Sequence, residues 1–511
     1  MGLIGGFVLM ASVTAFAASL AVASLPHLCN DDGQWRSAGQ RAPPAVADYL
    51  DSLGRATFDQ RAACAHWAGT FSARHRMSAD SASTSVPVPA RFILFPAEGI
   101  DVRQLANWLG GINDVRGIEK SRSFVVAEFE RRMPTWRLRQ VLNGAHVEYA
   151  EPDCDGPDFL TTSVELIAPV GTRLSCWQEA ARATFPNDPC IDELWGHAKI
   201  GWDSAVAFRS LPRIVAVLDS GIDAAHEDLA RNVVLRLETH DPPRSQGSRF
   251  NARCATSGRC YPHGTEMAGT IGGRMDNGIG VVGVAPHSRL LPIVISRVEH
   301  GLLGRLSTIA EGIEAAALDG ADIINISAKW PVDSRAISEA IRVAVGGSAA
   351  KLRMVVTGYA TSLDSDDTVR EYFPSQYRCL PGVLAAVPAD MRGHDLFNPV
   401  TRPDPGDGRI QAPGVDIVVT TTENSERGYA LSGAAGASSA AAYVSGAVAL
   451  VWGSPPLNTC DAQQIKQLLF CRSKSSDSTR YPWVHVGFLR ELAKLDPGAD
   501  CRTAMEALGC N

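Results

Sequence analysis

RIVAVLDSG, residues 213–221, is an almost unbroken apolar run that stops at an acid and a glycine. A run of this length suits a strand buried on both faces, the signature of a parallel sheet. Three more follow: RLLPIVIS (289–296), ADIINIS (321–327) and KLRMVVTG (351–358). Between them lie helix-like segments such as STIAEGIEAAALDG (307–320). Strands alternating with helices from about 190 to 455 predict an α/β domain whose sheet is covered on both faces. Ligands on such sheets bind at the carboxyl ends of the strands, which directs attention to Asp219.

Upstream the pattern differs. RFILF (91–95), SFVVAEFE (123–130) and HVEYAEPD (146–153) read as strands, with another near Val115–Ile118. DVRQLANWLG (101–110) and PTWRLRQVLNG (134–144) read as helices, the second with Pro early and Gly at its end. The order βαββαβ predicts a small ferredoxin-like α+β domain over 91–153.

At 511 residues, with 45% hydrophobic and 20% charged side chains, the chain has room for several globular domains. A net charge of −7 gives no sign of a nucleic-acid partner, and the short basic run RRMPTWRLR (131–139) reads as a solvated helix face. Residues 2–26 carry no charge, and Ala21-Val22-Ala23 has the small-residue pattern of a signal-peptidase site. Residues 1–23 are therefore expected to be a signal peptide, with contact to a membrane only if this segment stays uncleaved as an anchor. Export, to a secreted or periplasmic location, agrees with twelve cysteines. Their spacing suggests Cys254–Cys260, Cys460–Cys471 and Cys501–Cys510, with Cys29–Cys64 in the pro-region. The expected division is 24–90 as pro-region and linker, 91–153, 154–455, and a disulfide-rich helical tail over 456–511.

LSGAAGASSAAAYVSGAVAL (431–450) is uncharged, and eight of its twenty residues are alanine. Serines and glycines interrupt it too often for a membrane span. A buried helix that lets other groups approach closely fits better. Ser438 stands near the start of that helix, His263 starts the small-residue segment HGTEMAGTIGG, and Asp219 ends its strand. A hydroxyl, an imidazole and a carboxylate are what nucleophilic attack on a peptide bond needs. Each alone reads as well as a cap or turn residue.

Together the motifs carry a resemblance. VAVLDSGIDAAHEDL (215–229), HGTEMAGTIGG (263–273) and GASSAAAYVSGAVAL (436–450) resemble the aspartate, histidine and serine motifs of subtilisin-like serine proteases, in the family's order. NGIGVVGVAP (277–286), ADIINIS and QAPGVDI (411–417) match its loop, cleft strand and pre-serine segment, and 187–208 resembles the start of its mature domain. HVEYAEPD is similar to the end of its inhibitor-I9-like propeptide. The resemblance implies a three-layer fold with a mainly parallel sheet. It implies Ser438 as nucleophile, His263 as base, Asp219 as the group orienting the base, and a zymogen inhibited by its own propeptide. It also implies a structural Ca²⁺ held by Asp228, the Asn277 side chain and the carbonyls of Met275, Ile279 and Val281, oxygen ligands of the kind calcium prefers. The chemistry itself needs no cofactor.

Several positions depart from that pattern. The cleft strand, Ser-Leu-Gly-Gly in the family, reads Ser327-Ala328-Lys329-Trp330, so Lys329 and Trp330 are expected to crowd the substrate. No asparagine lies between 351 and 370, where the family's oxyanion donor belongs. The Ser438 N–H remains, and Thr357 or Tyr359 offers a hydroxyl. Losing the side-chain donor costs about 10²–10³ in kcat, a figure measured in a subtilisin. Ala437, Ser439 and Ala442-Tyr443 replace the threonine, methionine and Pro-His of the usual serine motif. These changes leave two readings: a serine endopeptidase acting on peptides or proteins, and an exported pseudoprotease that binds them without cleavage.

Overall fold

The computed structural model describes residues 60, 63–64, 90–130, 133–154, 158–159, 176, 179–234, 262–297, 302–346, 353–363, 369–396, 408–421, 428–432, 436–473, 481–496 and 498–510. Segment 1–23, expected as a signal peptide, most of 24–90, and Cys254 and Cys260, expected to pair, lie outside the described residues.

The small domain runs β1 (Arg91–Pro96), α1 (Val102–Gly110), β2 (Val115–Lys120), β3 (Val125–Phe129), α2 (Thr135–Leu142) and β4 (Val147–Pro152). Its antiparallel sheet has the order β2-β3-β1-β4, the ferredoxin-like arrangement. Asp101 and Gln104 form a capping box that starts α1. Cys154, just after β4, bonds Cys64, with Cα atoms 5.6 Å apart, instead of a Cys29–Cys64 pair. Gln60 donates to the Arg91 carbonyl and accepts from its N–H. A short strand, β5 (Asp158–Phe159), follows.

The large domain continues with α3 (Trp195–Ile200), α4 (Ser204–Arg209), β6 (Ile214–Asp219), α5 (His263–Gly272), β7 (Arg289–Val294), β8 (Ser296–Arg297), β9 (Leu302–Leu303), α6 (Leu306–Leu318), β10 (Ile323–Ile326), β11 (Ala328–Lys329) and α7 (Arg335–Gly346). It closes with β12 (Met354–Gly358), β13 (Thr361–Leu363), β14 (Val369–Glu371), β15 (Val383–Ala389), β16 (Arg409–Pro413), β17 (Ile417–Thr420), β18 (Tyr429–Ser432) and α8 (Ala437–Gly453). The tail adds α9 (Ala462–Cys471), α10 (Leu489–Leu492) and α11 (Cys501–Ala507).

Six parallel strands form the central sheet in the order β16-β15-β12-β10-β6-β7. Alternation along each strand feeds two layers. Ala216, Leu218, Ile324 and Ile326 face α6 and α7, while Val215, Val217, Ile323 and Val356 face α5 and α8. This is the expected three-layer α/β fold. All seventeen residues of α8 are buried, and among the described residues no helix is long and apolar enough to cross a membrane. Its small residues permit contact at backbone distance. A Cβ on Gly446 would lie 2.7 Å from the Val284 Cβ.

The tail disulfides differ from the expected pairs. They join Cys460 to Cys501 and Cys471 to Cys510. Cys460 and Cys471 flank the ten-residue α9, and a helix rising 1.5 Å per residue holds its ends about 15 Å apart. A disulfide needs Cα atoms within about 7 Å, so bridges run between segments rather than along one helix. Cys501 opens α11 and Cys510 lies three residues past its end, and each bonds a cysteine flanking α9 instead.

The small domain docks through two buried carboxylates at the end of β4. Asp153 accepts from Ser307 N (3.0 Å) and Oγ (2.8 Å) at the start of α6. Glu151 accepts from Ser334 Oγ (2.7 Å), Arg335 N (2.9 Å) and Ala336 N (3.3 Å) at the start of α7. Carboxylates satisfy the orphan N–H groups there and complement the helix dipoles. Ser121 and Ser123 also both donate to Glu314 of α6. Burial pushes the Glu151 carboxyl up to about 7, against the bonds from Ser334, Arg335 and Ala336 that favour its charge. The docked state therefore holds a proton that a free carboxyl, with its ordinary value of 4.5, has released. The Glu151 contribution to docking is fullest below about 4.5 and is lost as pH rises towards 7, by up to ~3 kcal/mol. Glu151→Gln should flatten that dependence, read as the change in melting temperature of the full chain between pH 5 and pH 8. An unchanged slope would remove Glu151 from the account. Asp333 and Asp188, pushed up by burial to about 6, and Asp228, pushed up to about 7, keep slopes of the same sign, so Glu151→Gln reduces the dependence without removing it.

Candidate active site

Asp219 is the last residue of β6, and His263 is the first of α5. Gly264 makes their meeting possible: a Cβ there would lie 2.2 Å from the Gly221 carbonyl oxygen. The α5 terminus thus abuts the turn after β6, tied further by Gly264 N donating to Ser220 Oγ (3.0 Å). His263 Nδ1 donates to Asp219 Oδ1 at 2.8 Å and Oδ2 at 2.9 Å, and Ser220 N donates to Oδ1 at 2.7 Å. Asp219 is fully buried. Burial lowers the His263 pKa, but the charge and hydrogen bond of Asp219, with the charge of Glu266, outweigh it and leave the ring above its ordinary 6.5.

Ser438 reaches the same edge from α8, which packs beside α5 on one face of the sheet. Its Oγ donates to the Ser327 carbonyl at 3.4 Å, and Ser327 Oγ donates to the Ser438 carbonyl at 3.4 Å. Ser327 directly follows β10, whose Ile326 pairs with Leu218 of β6. Ser327 and Asp219 therefore end adjacent parallel strands, about 4.8 Å apart. The carboxylate, the imidazole and the hydroxyl gather at one mouth of the sheet. Below them Ser445 Oγ of α8 donates to Asn325 Oδ1 (2.9 Å), and Asn325 Nδ2 donates to Ser327 Oγ (3.0 Å). This link holds the serine helix to β10. Neither residue stood out in the sequence, where each reads as an isolated polar residue in an apolar element.

The N-cap of α8 is Gly436, which has no side chain to bond the first-turn N–H groups. Those donors include the Ser438 N–H. The hydroxyls expected to assist it do not. Tyr359 Oη accepts from Arg409 Nη1 (3.1 Å), and the Arg409 guanidinium lies between the Tyr359 and Tyr481 rings, at 5.2 and 4.8 Å. Thr357 is buried within β12, with its hydroxyl donating to the Gly358 carbonyl. Ala360, which has no side-chain donor, packs against Ala437, with Tyr372 against the pair. A hydroxyl pattern in sequence cannot tell which way a residue at a strand end turns; Arg409, fifty residues on, decides it.

The cleft strand also needs correcting. β11 is a strand in which Ala328 and Trp330 turn inward, both fully buried, while Lys329 turns outward. Trp330 pairs with Phe373 through two backbone hydrogen bonds and belongs to the core, so it does not crowd the cleft. Along its other edge β11 pairs antiparallel with β5, Ala328 opposite Phe159 and Lys329 opposite Asp158. The two described residues of β5, which follow the small domain in sequence, thus add a strand to β11, just beyond Ser327.

Loop 274–281 brings the expected calcium ligands together but engages them with one another. Asp228 Oδ1 accepts from Asn277 Nδ2 (2.7 Å), and Oδ2 accepts from Val281 N (2.9 Å) and Tyr429 Oη (3.1 Å). Asn277 Oδ1 accepts from Ile279 N (3.2 Å), while Asp188 takes the N–H groups of Asp276 and Asn277. Met275 packs partly buried against the apolar clusters. Both side-chain ligands accept from protein donors, and with the carbonyls of Met275, Ile279 and Val281 they are the oxygens that would hold a calcium ion. Among the described residues no cluster of three or more metal-binding side chains occurs.

The profile of the subtilase family, peptidase S8, matches residues 213–481. The chain belongs to the subtilase family. As a subtilase it is a serine endopeptidase, a hydrolase acting on peptides or proteins. It is 32% identical to subtilisin of Bacillus pumilus over 243 residues, 47% of this chain and 77% of that one. It is 32% identical to the major intracellular serine protease of Bacillus subtilis over 251 residues, 49% of this chain and 70% of that one. The crystal structure of fervidolysin from Fervidobacterium pennivorans, a keratinolytic enzyme related to subtilisin, aligns with a TM-score of 0.55 at 20% identity. That alignment covers 81% of this chain and 62% of fervidolysin, and it supports the fold of this subtilase.

Proposed function

We propose that the chain is an exported serine endopeptidase made as an autoinhibited zymogen, with Ser438, His263 and Asp219 as its catalytic residues. The observation that carries this reading is the buried Asp219 carboxylate gripping His263 Nδ1, one strand away from the Ser438 hydroxyl. With Nδ1–H committed to Asp219, Nε2 presents a lone pair as base. It takes the Oγ proton as Ser438 attacks the substrate carbonyl, and the Ser438 N–H stabilises the oxyanion that forms. The imidazolium, favoured by Asp219, then protonates the leaving amine. Water hydrolyses the acyl-enzyme by the same steps in reverse order.

The zymogen part rests on β4, β5 and β11. A domain docked by Glu151 and Asp153 feeds its following segment into the groove beside the nucleophile, so substrate access requires that segment to leave. Export rests on the uncharged segment 1–23 together with the disulfides, which persist in oxidising compartments. Calcium, implied by resemblance, supplies no step. The test is purified wild type beside Ser438→Ala: self-processing and casein hydrolysis by wild type alone are expected. Equal behaviour of the two would instead favour a protein that binds peptides without cutting them.

A further inference from the structure

We propose that Lys329 makes this subtilase selective for an acidic side chain at the substrate residue paired with it across β11. The inference rests on the reading of β11 as the substrate strand and adds the class of substrate. Lys329 is the one residue of Ala328-Lys329-Trp330 that leaves the core, because its neighbours on both sides are fully buried. Its ammonium is held over the Tyr372 ring, 5.1 Å from the centroid, rather than trailing into water. Tyr372 in turn packs on Ala360 and Ala437, the residue before Ser438, and its N–H donates to the Ala360 carbonyl (3.0 Å). A positive charge is thus fixed at the wall of the groove, where the family pattern has glycine.

Residues directly opposed in an antiparallel pair project to the same face with Cβ atoms about 5 Å apart, so the charge opposite Lys329 matters. The chain's own added strand places Asp158 at that position. The register also locates the position relative to the cut. Ser327, whose carbonyl meets Ser438 Oγ, lies two residues before Lys329, and the bound strand runs the opposite way. The acidic residue therefore falls two positions N-terminal to the residue whose carbonyl Ser438 attacks. Peptides with Asp or Glu there are the preferred substrates, and Lys or Arg there is rejected.

The test is a charge swap in the full chain. Asp158→Lys and Lys329→Glu should each slow self-processing about tenfold or more, and the double variant should return to within about threefold of wild type. In trans, peptides differing only at that position should be cut in the order Asp, Asn, Lys by wild type and in the reverse order by Lys329→Glu. A double variant as slow as the singles, or a peptide order unmoved by Lys329→Glu, overturns the proposal. If no Ser438-dependent cleavage occurs, the catalytic reading fails separately. The pairing is then read from amide hydrogen exchange at 328–330 in the Ser438→Ala background. Protection lost in each single variant and restored in the double upholds the charge pairing; protection indifferent to the charges overturns it.

Discussion

Ser438→Ala lowers kcat by about 10⁶, the size of loss found when the nucleophile is removed from a subtilisin. The substitution deletes only the oxygen that bonds the Ser327 carbonyl. Ala437, Ala440, Ala441 and Ala442 already occupy this helix, so alanine adds no bulk to its buried surface. Folding should therefore survive, with a melting temperature within a few degrees of wild type. The full chain should also remain uncut. Peptide hydrolysis by Ser438→Ala within tenfold of wild type would require another nucleophile.

Asp219→Asn is the second large effect. It keeps the shape of the side chain but removes its charge and offers an amide where His263 needs an acceptor. A kcat loss of about 10⁴ is expected, equivalent to ~5.5 kcal/mol of transition-state stabilisation. The pH profile separates this from mere damage. In wild type the base must be neutral, and Asp219 holds its pKa above 6.5, so activity rises with pH through that region. Without Asp219, burial is left to depress the ring, and the acid limb moves to lower pH. A large rate loss with an unmoved acid limb would mean that Asp219 does not set the state of His263.

Much of this molecule was legible because its chemistry sits where elements end. VAVLD announces a buried strand stopping at a carboxylate, and His263 opens the small-residue segment that forms α5. The small residues around Ser438 foretell a helix buried on all sides. GVLAAVPA (382–389), which forms β15, and the segment 335–346, which forms α7, drew no assignment. Without a motif, a short apolar run does not declare whether it is strand or helix. What depended on partners distant in sequence could not be read. Tyr359 is turned away by Arg409, Trp330 is drawn inward by Phe373, and Cys64 finds Cys154 ninety residues on. Sequence spacing favoured cysteines at two ends of one helix, the arrangement that helix geometry forbids.

The account stands on Ser438 being activated by His263 at the end of this sheet, and mass spectrometry after a fluorophosphonate probe tests that most directly. One adduct on the peptide containing Ser438, formed faster as pH rises through the His263 range and absent after His263→Ala, is the expected result. Folded, processed protein that takes up no label, or takes it on another serine, would contradict it.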